Sequence, residues 1–228
     1  MKRKKILIGS RASKLALIYA NKAKNQISEH FSGELTIKEI TTEGDNKLDV
    51  RLSELGGKGL FSKNIEIELL NKKIDLAVHA LKDMPSIETN GLLTSCYLKR
   101  NNPNEVLISN NNKHLNELVP GSIIGTSSFR REFQLKKIRK DLNFKLIRGN
   151  VDTRLKKLKK GEYDAIVLSK AGLKSLKNES EITQEFSSKE LIPSVGQGTI
   201  AIQCRQDDKE MIEFLKKVNH HDTSIRVR

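Results

Sequence analysis

Asp75–Pro85 reads DLAVHALKDMP, and Leu76 to Leu81 is a near-continuous apolar run. Such a run fits a strand buried on both faces, the kind found in parallel sheets covered by helices. It stops at Lys82-Asp83 and Pro85, since a proline cannot continue a ladder. In a wound α/β protein, ligands gather at the carboxyl ends of such strands, so Asp83 beside Lys82 is a candidate for chemistry. A carboxylate capping the turn before Pro85 accounts for the same residues on local grounds.

Working outward, short apolar runs alternate with segments of helical period, the pattern of a wound α/β fold. Upstream, KKILIGS and ELTIKEITT read as strands. Between them, Ala16, Ala20, Ala23 and Ile27 fall on one helical face. Phe61, Ile65 and Leu69 mark a second helix. Downstream of Pro103 a second series begins, with EVLIS, SIIGTSS, FKLIRG and DAIVLS as strands. Leu135, Ile138 and Leu142 line one helix of that series, and Val151, Leu155 and Leu158 another. IPSVGQG then leads back to the strand TIAIQC and a closing helix through Met211, Leu215 and Val218. The expectation is two α/β lobes with a cleft between them: residues 1–98 with 199–217, and residues 104–193. Residues 42–59 are polar and glycine-bearing, as a functional lid would be.

The 228 residues carry a formal net charge of +14, which favours an anionic partner. Many of the lysines belong to solvated helix faces. Aromatic residues make up only 4% and no recognition motif for nucleic acid is present, which argues against a nucleic-acid-binding protein. No stretch approaches the length of a membrane span. Cys96 and Cys204 are far apart inside apolar runs and read as plain core residues in a reducing cytosol. The five histidines show no metal-ligand spacing.

The arginines are more informative. GSRAS (Gly9–Ser13), GTSSFRR (Gly125–Arg131) and RGNVDTR (Arg148–Arg154) each stand between a strand and a helix. Helix starts offer N–H groups to anions, and arginine adds a planar fork for carboxylates. Arginine in a first helical turn is costly unless an anion arrives. Successive helical residues point about 100° apart, so Arg130 and Arg131 cannot serve one carboxylate by the same route. They could clamp two, or one could face solvent. Three such junctions and Lys82-Asp83 describe a cleft for a ligand with several carboxylates or phosphates. GGKGLF lacks the spacing and the preceding strand of a nucleotide-binding loop.

GSRAS, GGKGLF, VHALKDMP, GTSSFRR, RGNVDTR, GEYDAIVL, VGQG and HHDTSIRV, in this order, resemble the hydroxymethylbilane synthase (porphobilinogen deaminase) family over essentially the whole chain. The resemblance implies two periplasmic-binding-protein-like lobes and a small third domain, of which residues 218–228 would be the start. It implies a cytoplasmic, monomeric transferase that joins four porphobilinogen units head to tail, releasing ammonia. The family primes this on a dipyrromethane cofactor held by a cysteine thioether, without metal. Asp83 would be the catalytic carboxylate. Arg11, Ser13, Lys82, Thr126, Ser127, Ser128, Arg130, Arg131, Arg148 and Arg154 would bind cofactor and substrate carboxylates. Lys58 and Phe61 would belong to the lid, and Gln197 to the crossover.

The chain departs from the family pattern at three points, of which the one in the lid reads as tolerated variation and the one at the cofactor cysteine decides activity. Ser175 stands where the family usually has another arginine, and Glu54 replaces a frequent lysine in the lid. Neither Cys96 nor Cys204 matches the cofactor cysteine. These 228 residues are therefore expected to be inactive, with self-association through apolar surface that a third domain would cover. The competing expectation is a non-catalytic two-lobe binder of small polycarboxylate anions.

Overall fold

The computed structural model describes residues 3–42 and 59–227, which divide into two compact units. Among the described residues, the chain leaves the first unit after Asn101 and rejoins it at Gly198.

The first unit is a five-stranded sheet with helices on both faces. Its strands are β1 (Lys5–Arg11), β2 (Glu34–Ile40), β3 (Leu76–Ala80), β4 (Leu92–Tyr97) and β10 (Ile200–Arg205), in the order β2-β1-β3-β10-β4. Helix α1 (Lys14–Ser28) buries Ala20, Ala23 and Ile27, three of the four positions spaced for one face. Ala23 and Ile27 join Ile6, Ile8, Val78 and Ile202, together with Met211, Leu215 and Val218 from α6 (Lys209–Val218), in one core. The opposite face is covered by α2 (Lys63–Leu70), whose Ile65 and Leu69 pack on Ile40, Ile74 and Ala77. Burying each such side chain favours the fold by about 1.5–3 kcal/mol before the entropy of ordering it.

Two readings of this unit are corrected. The strand at 76–80 is parallel to β1 but antiparallel to β10. Leu81 N donates to Thr199 O at 3.0 Å, so β10 starts where β3 ends and must run the other way. Phe61 is not on the helix but in the turn before it. Residues 221–227, within the stretch expected to begin a third domain, form the short helix α7 (His221–Val227) on this unit. There Arg100 N donates to Thr223 Oγ1 at 3.0 Å, and Val227 packs with Met84, Tyr97 and Ala201.

The second unit contains β5 (Glu105–Ser109), β6 (Ile123–Gly125), β7 (Asn143–Lys145), β8 (Ala165–Ser169) and β9 (Gln184–Glu185), in the order β7-β6-β8-β5-β9. Its β5 and β8 show why buried strands read as continuous apolar runs. Leu107 and Val167 face one core with Leu135 of α3 (Phe129–Ile138). Val106, Ile108, Ile166 and Leu168 face the other, with Leu155 and Leu158 of α4 (Val151–Lys159) and Leu173 of α5 (Lys170–Ser175). Side-chain alternation puts an apolar residue on both sides.

The expected helix through Leu142 is shorter than its spacing suggests. It ends at Ile138, which is 44% exposed, because Arg139 leaves helical conformation. The Arg139 guanidinium instead bonds the carbonyls of Leu115 and Leu118 at 2.7 and 2.9 Å, and Leu142 enters the core from the following turn. The strand expected over FKLIRG stops at Lys145, since Tyr163 Oη takes the next carbonyl, that of Leu146, at 2.7 Å. Likewise SIIGTSS is strand only to Gly125, after which the hydroxyl residues form a cap.

Candidate active site

In the first unit, β1 and β3 lie side by side and parallel, with Gly9 opposite Ala77. Their carboxyl ends therefore meet, which brings Arg11 and Asp83 to one place although 72 positions separate them. Arg11 is the last residue of β1. Ser13 caps α1, its hydroxyl accepting from Ala16 N at 3.4 Å. Lys82 and Asp83 occupy a single turn of 3-10 helix directly after β3, held by the Leu81–Thr199 bond. Arg11, Ser13, Tyr19, Phe61, His79 and Asp83 are among the residues lining a cavity of about 50 Å³. The Arg11 guanidinium carbon lies 4.0 Å from the centre of the Phe61 ring, a cation–π contact that orients the fork. A cation, a hydroxyl and an anion thus share one small cavity.

Tyr19 and His79 also line the cavity, although neither is among the residues expected from the motifs. His79 was legible as the one polar interruption of an apolar strand. It is 7% exposed. Burial, aided by the charge of Arg11 and opposed by Glu66, Gln203 and Asp83, pushes its pKa down to about 4. The ring is therefore neutral at physiological pH.

In the second unit the two remaining junctions are built on β6 and β7. Gly125 must be glycine: a Cβ there would approach Tyr163 Cδ1 to 2.8 Å and Ile166 Cγ2 to 3.0 Å. Thr126 is buried; its amide donates to Lys145 O at 3.1 Å and its hydroxyl accepts from Ser128 N at 3.1 Å. Ser127 follows, half-buried, and Ser128 caps α3 by accepting from Arg131 N at 3.4 Å. Arg148 is buried three residues past β7, so it does not end that strand as expected. Arg154, in the first turns of α4, donates from Nε to Gly149 O at 2.8 Å.

The arginine pair has a partner inside the protein. Glu105, at the start of β5, is fully buried. Arg131 reaches its Oε2 at 2.7 Å, and Arg130 reaches its Oε1. One carboxylate therefore serves both, each arginine taking its own oxygen, which neither expected arrangement included. Arg131 also donates to Val167 O at 2.9 Å, and Arg130 to Ile192 O. Burial alone would raise the Glu105 carboxyl; the charges and hydrogen bonds of Arg131 and Arg130 outweigh it and hold it below the usual range. The cost of arginine near this helix start is met from within, so the two cations alone do not demand an outside anion.

Gln197, buried, donates from Nε2 to Pro103 O at 2.6 Å. Ser175 closes α5. Lys58, Glu54 and the lid positions 43–58 lie outside the described residues. Cys96 and Cys204 are both fully buried, in β4 and β10, and neither lines the cavity. Among the described residues no cluster suits a metal ion, and no helix is long and apolar enough to cross a membrane.

Dissimilar proteins share this architecture. A putative methionine-binding lipoprotein of Bacillus subtilis superposes with a TM-score of 0.58 at 16% identity, over 95% of this chain and 90% of that one. The GlnP substrate-binding domain 2 of Lactococcus lactis, in its open conformation, superposes with a TM-score of 0.55 at 11% identity, over 96% and 89%. The fold is thus the two-lobed, periplasmic-binding-protein-like one. Sequence similarity is closer elsewhere. Porphobilinogen deaminase of Bacillus cereus (strain AH187) is 49% identical over 218 residues, 95% of this chain and 71% of that protein. The enzyme of Bacillus thuringiensis (strain Al Hakam) is 48% identical over the same shares. The model of the family described as "Porphobilinogen deaminase, dipyromethane cofactor binding domain" matches residues 6–213. With a match over nearly the whole chain and half the residues shared with its relatives, the chain belongs to the porphobilinogen deaminase family.

Proposed function

We propose that this chain carries the catalytic cavity of a hydroxymethylbilane synthase, which condenses four porphobilinogen units head to tail, releases ammonia at each step and yields 1-hydroxymethylbilane. The observation that carries the reading is the meeting of Arg11 and Asp83 in one cavity of the first unit. Porphobilinogen bears two carboxylates, a pyrrole N–H and an aminomethyl group that is cationic at neutral pH. Arg11, Ser13 and Lys82 answer the carboxylates; Asp83 answers the N–H and the cation.

Loss of ammonia breaks the C–N bond, whose electron pair leaves with nitrogen, and positive charge spreads over the remaining ring. A fixed carboxylate at that ring stabilises the charge as it forms, the counterpart of an oxyanion hole. Attack by a neighbouring pyrrole carbon then forms the C–C bond, and loss of that carbon's proton restores the ring. Asp83 faces the cation in both steps.

The residues present fit the non-covalent side of a dipyrromethane group, since a cation and a hydroxyl stand beside a carboxylate. They do not supply its thioether, because both cysteines are buried away from the cavity lining. When bound, the group supplies the pyrrole carbon on which the chain grows. Thr126, Ser127, Ser128, Arg130, Arg131, Arg148 and Arg154 are assigned to ligand carboxylates, with Lys58, Phe61 and Gln197 as supporting positions. A cytoplasmic monomer belongs to the same reading.

Asp83→Asn in the complete gene product tests it. Porphobilinogen consumption is expected to disappear while porphobilinogen binding persists. Consumption within threefold of wild type would refute the assignment. Binding without consumption by the wild-type complete gene product would instead favour a non-catalytic binder of polycarboxylates.

A further inference from the structure

We infer that His79 is a further ligand-binding residue of this cavity, accepting an N–H of the ligand beside Asp83, and that Gln203 and Glu66 are its positioning residues. The inference rests on the cavity being the porphobilinogen site. The three side chains come from separate elements: β3, β10 and α2. They are 7%, 0% and 5% exposed, respectively, so each is nine-tenths or more buried. In the antiparallel pair of β3 and β10, Ala201 lies opposite His79 and Gln203 opposite Ala77. His79 and Gln203 are therefore diagonal neighbours on the face that α2 covers.

The hydrogen bonds fix which way each group turns. Glu66 accepts from Thr89 Oγ1 at 2.9 Å and from Gln203 Nε2 at 3.1 Å. A carboxylate only accepts, so the Gln203 amide must turn its NH2 to Glu66 and its carbonyl oxygen elsewhere. Two buried atoms here, Gln203 Oε1 and His79 Nε2, have no hydrogen-bond partner among the described residues. They are the leftover polar atoms of diagonal neighbours on one sheet face: an oxygen that can only accept, and a ring nitrogen that can donate. The amide oxygen therefore selects the ring form with hydrogen on Nε2, and Nδ1 is left as the accepting edge of a ring that lines the cavity.

The neutrality of the ring matters to Asp83. The charged groups acting on His79 are Glu66 from α2, Asp83 from the turn after β3 and Arg11 from β1. A charged imidazolium would compete with the ligand for Asp83. Glu66 and Asp83 both favour that protonation, but burial of the ring outweighs them. Asp83 is thus left for the cation that the proposed chemistry brings.

Nitrogen-15 NMR of the imidazole, with and without porphobilinogen, tests the inference on the wild-type chain. The expected result is a neutral ring at pH 7, with hydrogen on Nε2, whose Nδ1 signal moves when porphobilinogen is added. Gln203→Met should lower porphobilinogen affinity about tenfold and let the ring populate both neutral forms. Glu66→Gln, which keeps an acceptor for the Gln203 amide, should retain most of the affinity. A ring that merely fills space would show Nδ1 unmoved by saturating porphobilinogen, and that result overturns the inference. So does a ring with hydrogen on Nδ1, or one charged at pH 7. Failure of the wild type to bind porphobilinogen would defeat the proposed function instead. The ring form in the free protein would then decide the positioning roles alone: hydrogen on Nε2 supports those of Gln203 and Glu66, and a mixture overturns them.

Discussion

Replacing Glu105 by glutamine keeps the size of a fully buried side chain and one carbonyl acceptor but removes the charge that two arginines share. The side chains of those arginines differ in their access to water. Arg130 is 29% exposed and can be rehydrated, whereas Arg131 is 9% exposed and cannot. Breaking a buried pair by removing one partner costs about 3–5 kcal/mol, chiefly through the charge left behind. With one of the two cations able to reach water and Arg131 keeping its bond to Val167 O, the lower end, about 3 kcal/mol, is expected. Urea unfolding followed by hydrogen exchange reads this loss and should place it in α3, β5 and β8. Arg131→Met in the Glu105→Gln background should be less damaging than in wild type, because each change removes the other's orphan. The depressed Glu105 carboxyl adds a signature in pH. Its contribution is complete above the unfolded value of about 4.3 and is lost as pH falls through the lower folded one. Wild type and variant should therefore converge in acid. A loss below about 1 kcal/mol at pH 7, or a constant difference down to pH 2, would refute the reasoning that this pair is buried and mutually dependent.

Three further outcomes are expected. His79 takes up a proton in the unfolded chain near 6.5 but in the folded protein only at about 4, so folding loses stability as pH falls between them. Wild type should lose about 2 kcal/mol more than non-titrating His79→Asn from pH 7 to pH 5 in urea titrations, and parallel curves would exclude a buried neutral ring. Gly149 has φ +106°, and an added Cβ would meet Thr153 Cβ at 2.9 Å. Gly149→Ala should cost about 1–3 kcal/mol, and an unchanged melting temperature would argue against the left-handed turn. Burial pushes the Cys96 thiol up to about 12 and raises Cys204 as well. Iodoacetamide at pH 8 should label neither in the folded protein and both in urea, so a labelled native chain counts against their burial.

Apolar period alone made most elements legible. The short continuous apolar runs in KILIGS, EVLIS and AIVLS, and the one-sided spacing of Ala20, Ala23 and Ile27, are consequences of local geometry that a core must satisfy. Ordered motifs made the family legible too, because GTSSFRR and RGNVDTR combine backbone and charge requirements that few folds share. Element ends were less visible. Arg139 leaves the helix and bonds carbonyls more than twenty positions away, and Tyr163 claims the carbonyl that would have prolonged β7. Such competitors come from distant sequence, so no local pattern announces them.

Sequence by itself determined that Asp83 stands at the end of a buried strand and that arginines crowd the strand-to-helix junctions. Only the tertiary structure decided what those charges meet. Parallel pairing of β1 with β3 put Arg11 beside Asp83, the return of β10 set Gln203 against His79, and the packing of α3 on the second sheet gave Arg130 and Arg131 the carboxylate of Glu105. A charge acts over a few ångströms of space, and distance in space is set by strand order and register rather than by separation along the chain.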